Sequence, residues 1–125
     1  MLRADEQLDD LQYKGYKIIQ KINGFKYGTD SVLLAGFALP AYGRVCDLGC
    51  GAGAVMLLMA LRSGEDTCFD GVEIRSSAVE KARRNILRAG LENRVKVYSQ
   101  DLRTVTETLT RGAYSCVVSN PPYLP

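Results

Sequence analysis

The sequence, 125 residues long, contains no histidine. That absence removes every mechanism built on an imidazole base. A zinc site would then need all four thiolates, or carboxylates, and Cys46, Cys50, Cys68 and Cys116 include no C-x-x-C pair. The cysteines read as small buried residues of a reducing compartment, and no metal site is expected. The longest apolar run is the eight residues from Ala54 to Leu61, far short of the roughly 20 that a membrane span needs. No Gly-X-Y period, low-complexity tract or fixed repeat is present. No sign of charge dominates either. Lys and Arg number 16 against 14 Asp and Glu, a net +2 that is too balanced to mark a nucleic-acid binder by bulk charge. The opening Met-Leu-Arg-Ala-Asp-Glu lacks the basic-then-apolar form of a secretory signal, so a cytoplasmic protein is expected.

What is present is ordinary for one folded domain: 46% hydrophobic and 24% charged residues. Residues 1–12 are acidic, with Asp5, Glu6, Asp9 and Asp10 against Arg3. Residues 13–27 invert this. Lys14, Lys17, Lys21 and Lys26 stand there without an acid, interleaved with Tyr13, Tyr16, Phe25 and Tyr27. Ile18 and Ile19 suggest a short strand and Asn23-Gly24 a hairpin turn. One reading is a basic-aromatic surface for a polyanion. The other is an ordinary hairpin with packed aromatics and solvated lysines, which the modest contribution of four charges favours. Thr29 and Asp30 precede Val32, Leu33, Leu34, Phe37 and Ala38, and either can cap a helix that ends before Pro40.

Beyond Pro40 the chain alternates. Strands are expected over Arg44 to Leu48, Thr67 to Ile74, Val95 to Tyr98 and Tyr114 to Ser119. A glycine loop, Gly49 to Gly53, leads into a helix over Ala54 to Leu61 that is apolar nearly all round and therefore buried. Ser77 and Glu80 form a capping box for the next helix. That helix buries Val79, Ala82, Ile86 and Ala89, stops at Gly90, and turns Lys81, Arg83, Arg84 and Arg88 outward. Residues 75–96 hold seven Lys or Arg against two Glu, which suits a solvated face or a contact to RNA. A third helical stretch is expected near Leu102 to Leu109. Strands and helices in alternation imply an α/β fold with a mostly parallel sheet.

Ligands on such sheets bind beyond the carboxyl ends of the strands. Four ends therefore matter. The first is Asp47-Leu-Gly-Cys-Gly-Ala-Gly53, where Gly49, Gly51 and Gly53 allow a tight turn and a close approach of backbone to ligand. Gly49, Gly51 and Ala54 also satisfy the loose dinucleotide pattern, so the glycines alone leave a nicotinamide cofactor open. Glu73 ends the second strand, 20 residues after Gly53, where an acid can accept from both hydroxyls of a ribose. Asp101 ends the third. It can accept from an adenine amino group, cap the following helix, or do both. The fourth end is Asn120-Pro121-Pro122-Tyr123. Two prolines fix this turn and remove two donors. They leave the Asn120 amide and the Pro121 carbonyl as acceptors and Tyr123 as a flat face. Acceptors without a strong base suit a planar, weakly nucleophilic nitrogen, which they help toward tetrahedral geometry.

These residues resemble a class I S-adenosylmethionine-dependent methyltransferase with the N-P-P-Y motif. The resemblance implies a Rossmann-like fold and S-adenosyl-L-methionine as cofactor. It implies that Asp47, Gly49, Gly51 and Gly53 pass the methionine moiety, with Asp47 near its amino group. Glu73 would then hold the ribose and Asp101 with Leu102 the adenine. Asn120, Pro121 and Tyr123 would hold and stack the target amine, with Asn120 also beside the cofactor. Over nearly the whole chain, Lys17-Ile-Ile-Gln20 and Gly24 to Ala35 together with the strand ends resemble the bacterial tRNA(Val) adenine-N6 methyltransferase family. RNA, and tRNA in particular, is the partner implied, with no membrane.

Residues 1–40 then read as an N-terminal extension and residues 41–125 as the cofactor-binding half. Such folds usually continue with three more strands, whereas this sequence stops at Pro125. The expectation is a fragment truncated after its fourth strand, whose open edge invites association. Glutamine-amide and guanine-N2 methyltransferases use the same tetrad and are rival readings. A non-catalytic cofactor-binding or association module is a rival of another class.

Overall fold

The computed structural model describes residues 2–11, 13–22 and 28–120. Two antiparallel strands open the chain, β1 (Glu6–Asp10) and β2 (Lys17–Lys21), with Asp10 opposite Lys17 at one end of the ladder. Their turn lies at Lys14-Gly15, both with positive φ. The hairpin is therefore built one strand earlier than the sequence suggests, and Asn23-Gly24 lies outside the described residues. The acidic segment gives no strand signal because Glu6-Gln-Leu-Asp-Asp10 lacks β-branched and aromatic residues. Tyr13 and Tyr16 pack on the core while Lys14, Lys17 and Lys21 stay exposed. This is the arrangement of an ordinary hairpin; Phe25, Lys26 and Tyr27 lie outside the described residues.

Helix α1 (Thr29–Ala38) follows. Its cap position is Gly28 and no side chain caps it, so Thr29 and Asp30 are its first helical residues rather than its cap. The main sheet comprises β3 (Arg44–Leu48), β4 (Cys68–Glu73), β5 (Val95–Ser99) and β6 (Cys116–Ser119). All are parallel, in the order β5-β4-β3-β6. The chain steps from β3 to β4 to β5 and then returns to the far side of β3. That reversal opens a crevice between the carboxyl ends of β3 and β6.

Strand alternation sends Val45, Phe69 and Val118 to the face covered by helices. It sends Cys46 and Val72 to the other face, under Leu109 and the partly buried Val105 and Tyr114. Helix α2 (Ala54–Leu61) is buried at every residue from Ala54 to Ala60, as its all-round apolar sequence requires. The third helical stretch is a 3-10 segment, Leu102–Glu107, broken at Thr104. The β-branched run Thr104-Val-Thr106 weakens regular helix there. No helix among the described residues is long and apolar enough to cross a membrane.

Helix α3 (Ser76–Ala89) ends at Gly90 in the left-handed conformation. It begins two residues earlier than the expected capping box allows. Arg75 holds the cap position, no side-chain cap forms, and Ser77 is already helical. Glu80 turns instead to Arg84 and Arg3. The expected outward basic face is also largely spent. Lys81 is buried, and Arg83 donates to the Val97 carbonyl at 2.8 Å. Arg84 donates to both oxygens of buried Glu6, at 2.8 and 2.9 Å, and the Arg3 N–H adds a third bond at 2.8 Å. The Arg84 guanidinium outweighs burial and, with the Arg3 N–H and the charge of Lys81, holds the Glu6 carboxyl down to about 2. The hairpin is thereby pinned to α3. Fully buried Asn85 adds a second pin. It accepts from Ile19 N at 2.6 Å and donates to the carbonyls of Ile19 (3.1 Å) and Ala52 (3.0 Å).

Removing one partner of a buried ion pair costs about 3–5 kcal/mol. Glu6→Ala should lose about that much stability in urea unfolding. Because the folded carboxyl titrates below its usual 4.5, the Glu6 contribution is complete above that pH and is lost as pH falls through about 2. The parent should therefore lose stability more steeply than Glu6→Gln across that window, measured by denaturant midpoints at each pH.

Candidate active site

The glycine loop leaves β3 and folds back at once onto the end of β4. Gly49 N and Cys50 N donate to the Val72 carbonyl at 2.8 and 3.0 Å, and Gly51 N donates to Glu73 Oε1 at 2.9 Å. Gly49 and Gly51 have φ of 76° and 56°, a region L side chains rarely enter. Gly53 occupies the cap position of α2 and points that helix's free N–H groups toward the loop.

A cleft opens above this loop at the switch point. The loop lines it with Gly49 to Ala52, β3 with Asp47, and α2 with Ala54 and Val55. Gln20 and Lys21 come from the hairpin, Ser31 from α1 and Asn120 from the end of β6. Arg75, Ser77, Ala78 and Lys81 close the side of α3. The structure thus brings Asp47, Gly49, Gly51 and Asn120 to one cleft. Glu73 is not itself in the lining and lies behind Gly51, which donates to it.

The two carboxylates differ in state. Asp47 is 2% exposed, and burial followed by the charge of Glu73 pushes its carboxyl up to about 7. Glu73 is also buried, and burial pulls it upward too. Bonds from the Arg75 side chain, Arg75 N–H and Gly51 N–H outweigh that and hold it below the usual carboxylate range. At neutral pH, Glu73 is a fixed charge and Asp47 is poised to change its own.

Asp101 caps the 3-10 segment. It accepts from Arg103 N at 2.8 Å and from the Arg103 guanidinium at 2.6 Å, which first of all keeps its carboxyl near 2. Asp101 and Leu102 do not line the cleft among the described residues, and Leu102 is exposed. Pro121 and Tyr123 lie outside the described residues. Asn120 donates through Nδ2 to Ser31 Oγ at 3.1 Å, which leaves its Oδ1 as an acceptor.

Sequence reading misses Ser31, Arg75 and Asn85. Ser31 lies within the Gly24 to Ala35 segment without being singled out there, and Arg75 carries no motif. Asn85 gives one signal, a lone amide within the stripe of Val79, Ala82 and Ile86.

A parallel sheet reversing beside its first strand, a glycine loop at that point and an acid at the next strand end define the Rossmann-like class I methyltransferase fold. Solved structures agree. P. horikoshii TYW2 in complex with MeSAdo has a TM-score of 0.67 at 18% identity, over 82% of this chain and 39% of that one. A Salinibacter ruber RNA methyltransferase in complex with S-adenosyl-L-homocysteine has a TM-score of 0.63 at 23% identity, over 77% and 60%. The family model described as methyltransferase small domain matches residues 23–124, and the chain belongs to that family. Curated relatives include tRNA1(Val) (adenine(37)-N6)-methyltransferases. The protein of Pectobacterium carotovorum is 34% identical over 98% of this chain and 51% of its own length. That of Cronobacter sakazakii is 37% identical over 89% and 45%. The chain spans about half the length of these relatives.

An acid whose folded pKa is raised binds more protons folded than unfolded, so stability falls as pH rises between the two values. For Asp47 that window runs from 3.8 to about 7. Asp47→Asn should therefore be more stable than the parent at pH 8, by up to about 4 kcal/mol. The gain should vanish below pH 4, as read by thermal unfolding across pH.

Proposed function

We propose that the chain binds S-adenosyl-L-methionine and forms the cofactor-binding half of a methyltransferase acting on adenine N6 in tRNA. The observation that carries this reading is the meeting of Asp47, the glycine loop and Asn120 in one cleft. The names of the curated relatives support the substrate class, and a cytoplasmic location is the one that goes with a tRNA substrate. In this reading residues 1–40 are an extension that walls the cleft and residues 41–125 hold the cofactor.

The residues fit the group. A Cβ built on Gly49 meets nothing within 4 Å, so the loop leaves open space for a close approach. Asp47 offers a buried carboxylate to an amino group and Glu73 an acceptor to a ribose. Asp101 and Leu102 stand outside the cleft lining, and their assignment to the adenine rests on the family resemblance alone. When bound, the cofactor supplies an electrophilic methyl group on a sulfonium. Asn120 Oδ1 accepts from the adenine amino N–H, and the Pro121 carbonyl is the second acceptor. Two acceptors draw the amino nitrogen toward tetrahedral geometry and need no strong base. Tyr123 stacks on the base.

Asp47 holds an ammonium only when ionised. The affinity for S-adenosylhomocysteine should therefore rise as pH increases through about 7, with a proton released on binding below that pH. Calorimetry in buffers of different ionisation enthalpy measures both.

Labelled methyl transfer from the full product of the gene should reach a tRNA transcript. Label in protein alone would overturn the RNA reading. Asn120→Ala should lower kcat about hundredfold, the usual loss of one positioned transition-state partner, with a much smaller loss of S-adenosylhomocysteine affinity.

A further inference from the structure

An ionised carboxylate offers about four lone-pair positions. Three of those on Glu73 are taken. Gly51 N donates to Oε1 at 2.9 Å. Arg75 N and Arg75 Nε both donate to Oε2, at 2.9 and 3.1 Å. One position remains, on Oε1, whereas the two adjacent hydroxyls of a ribose require two. The Gly51 and Arg75 backbone donors are fixed by the loop and by the start of α3, so neither can withdraw. The guanidinium can, because the Arg75 side chain is half exposed. Its Nη2 lies 3.9 Å from the place of a Cβ on Gly51, against the loop and within the cleft.

The same local geometry recurs one strand over. Glu73-Ile-Arg75 and Asp101-Leu-Arg103 are both acid, apolar residue, arginine, and each acid accepts from the backbone N–H and the Nε of the arginine two residues on. Each strand-end acid thus carries a counter-charge supplied by its own segment.

We infer that the Arg75 guanidinium stands in the place of the ribose, and that a nucleoside ligand binds Glu73 by displacing it. Arg75 is then the residue that sets how tightly the ribose end is held and how readily it is released. The inference rests on the cofactor reading of the cleft. Displacement moves no covalent bond: the guanidinium swings to solvent while Glu73 keeps its two backbone donors. A ligand with a single ribose hydroxyl takes the acceptor already open and leaves Arg75 where it is.

The test is calorimetry of the chain with S-adenosylhomocysteine and with its 2′-deoxy counterpart, on the parent and on Arg75→Ala. The variant keeps the Arg75 N–H that anchors α3, and circular dichroism checks its fold. Arg75→Ala should bind S-adenosylhomocysteine about three- to tenfold tighter, the worth of one charge-assisted bond at a half-exposed site. Its affinity for the 2′-deoxy ligand should change less than twofold. Weaker or unchanged binding of S-adenosylhomocysteine by the variant overturns the inference and leaves the cofactor reading standing. An equal shift for both ligands does the same, because it shows a general effect on the cleft. Failure of both folded proteins to bind S-adenosylhomocysteine overturns the cofactor reading and this inference with it.

Discussion

Three backbone N–H groups tie the glycine loop to the end of β4, and the geometry of the cleft depends on that seam. β3 and β4 are paired in register, with Leu48 opposite Val72. A chain leaving Leu48 to reach the Val72 carbonyl must reverse within a residue. Only backbone of positive φ does so without strain, which is why glycine stands at 49 and again at 51. The seam fixes where α2 begins, and so where its free N–H groups point. It also makes Glu73 structural before any ligand arrives. A side chain read as a ribose acceptor is first the clasp of the loop.

The same seam separates the states of two acids that the sheet holds close together. Asp47 and Glu73 leave adjacent parallel strands on one face, and burial disfavours the charge of both. Glu73 has donors enough to stay ionised. Its fixed charge then adds to the burden on Asp47. Such a cleft suits a ligand with hydroxyl groups at one end and an ammonium at the other. In the proposed reading the hydroxyls meet an acceptor that is already charged, and the ammonium supplies what Asp47 lacks.

Much of the fold is legible in the sequence because it follows from period and punctuation. The run Ala54 to Leu61 has no polar face and lies buried within those bounds. Gly90 stops α3 where a left-handed residue is needed. The four parallel strands lie within a residue or two of their apolar runs. Illegible features are those decided by a partner far along the chain. β1 has a poor strand composition, yet it pairs because Glu6 finds Arg84, 78 residues away. The capping box fails for a related reason. Glu80 faces Arg84 and Arg3, and these guanidiniums compete successfully for a carboxylate that would otherwise reach back to its own helix start.

The site divides along the same line. Asp47 and Asn120 reach the cleft because a parallel sheet delivers the end of every strand to one edge, so position along the chain is enough to single them out, whereas Asp101, chosen by the same rule, lies outside the cleft lining. Ser31 is not singled out in this way, since its bond to Asn120 spans 89 residues and a serine in the first turn of a helix is unremarkable by itself. Asn85 is an intermediate case. An amide inside an apolar stripe is costly to bury unless its donors and acceptor are all satisfied, so its presence announces that partners exist. The partners, Ile19 on the hairpin and Ala52 in the loop, cannot be named from the stripe. Once they are named, the hairpin ceases to be an appendage. A single buried amide joins β2 to the loop that floors the cleft, through the carbonyls of Ile19 and Ala52.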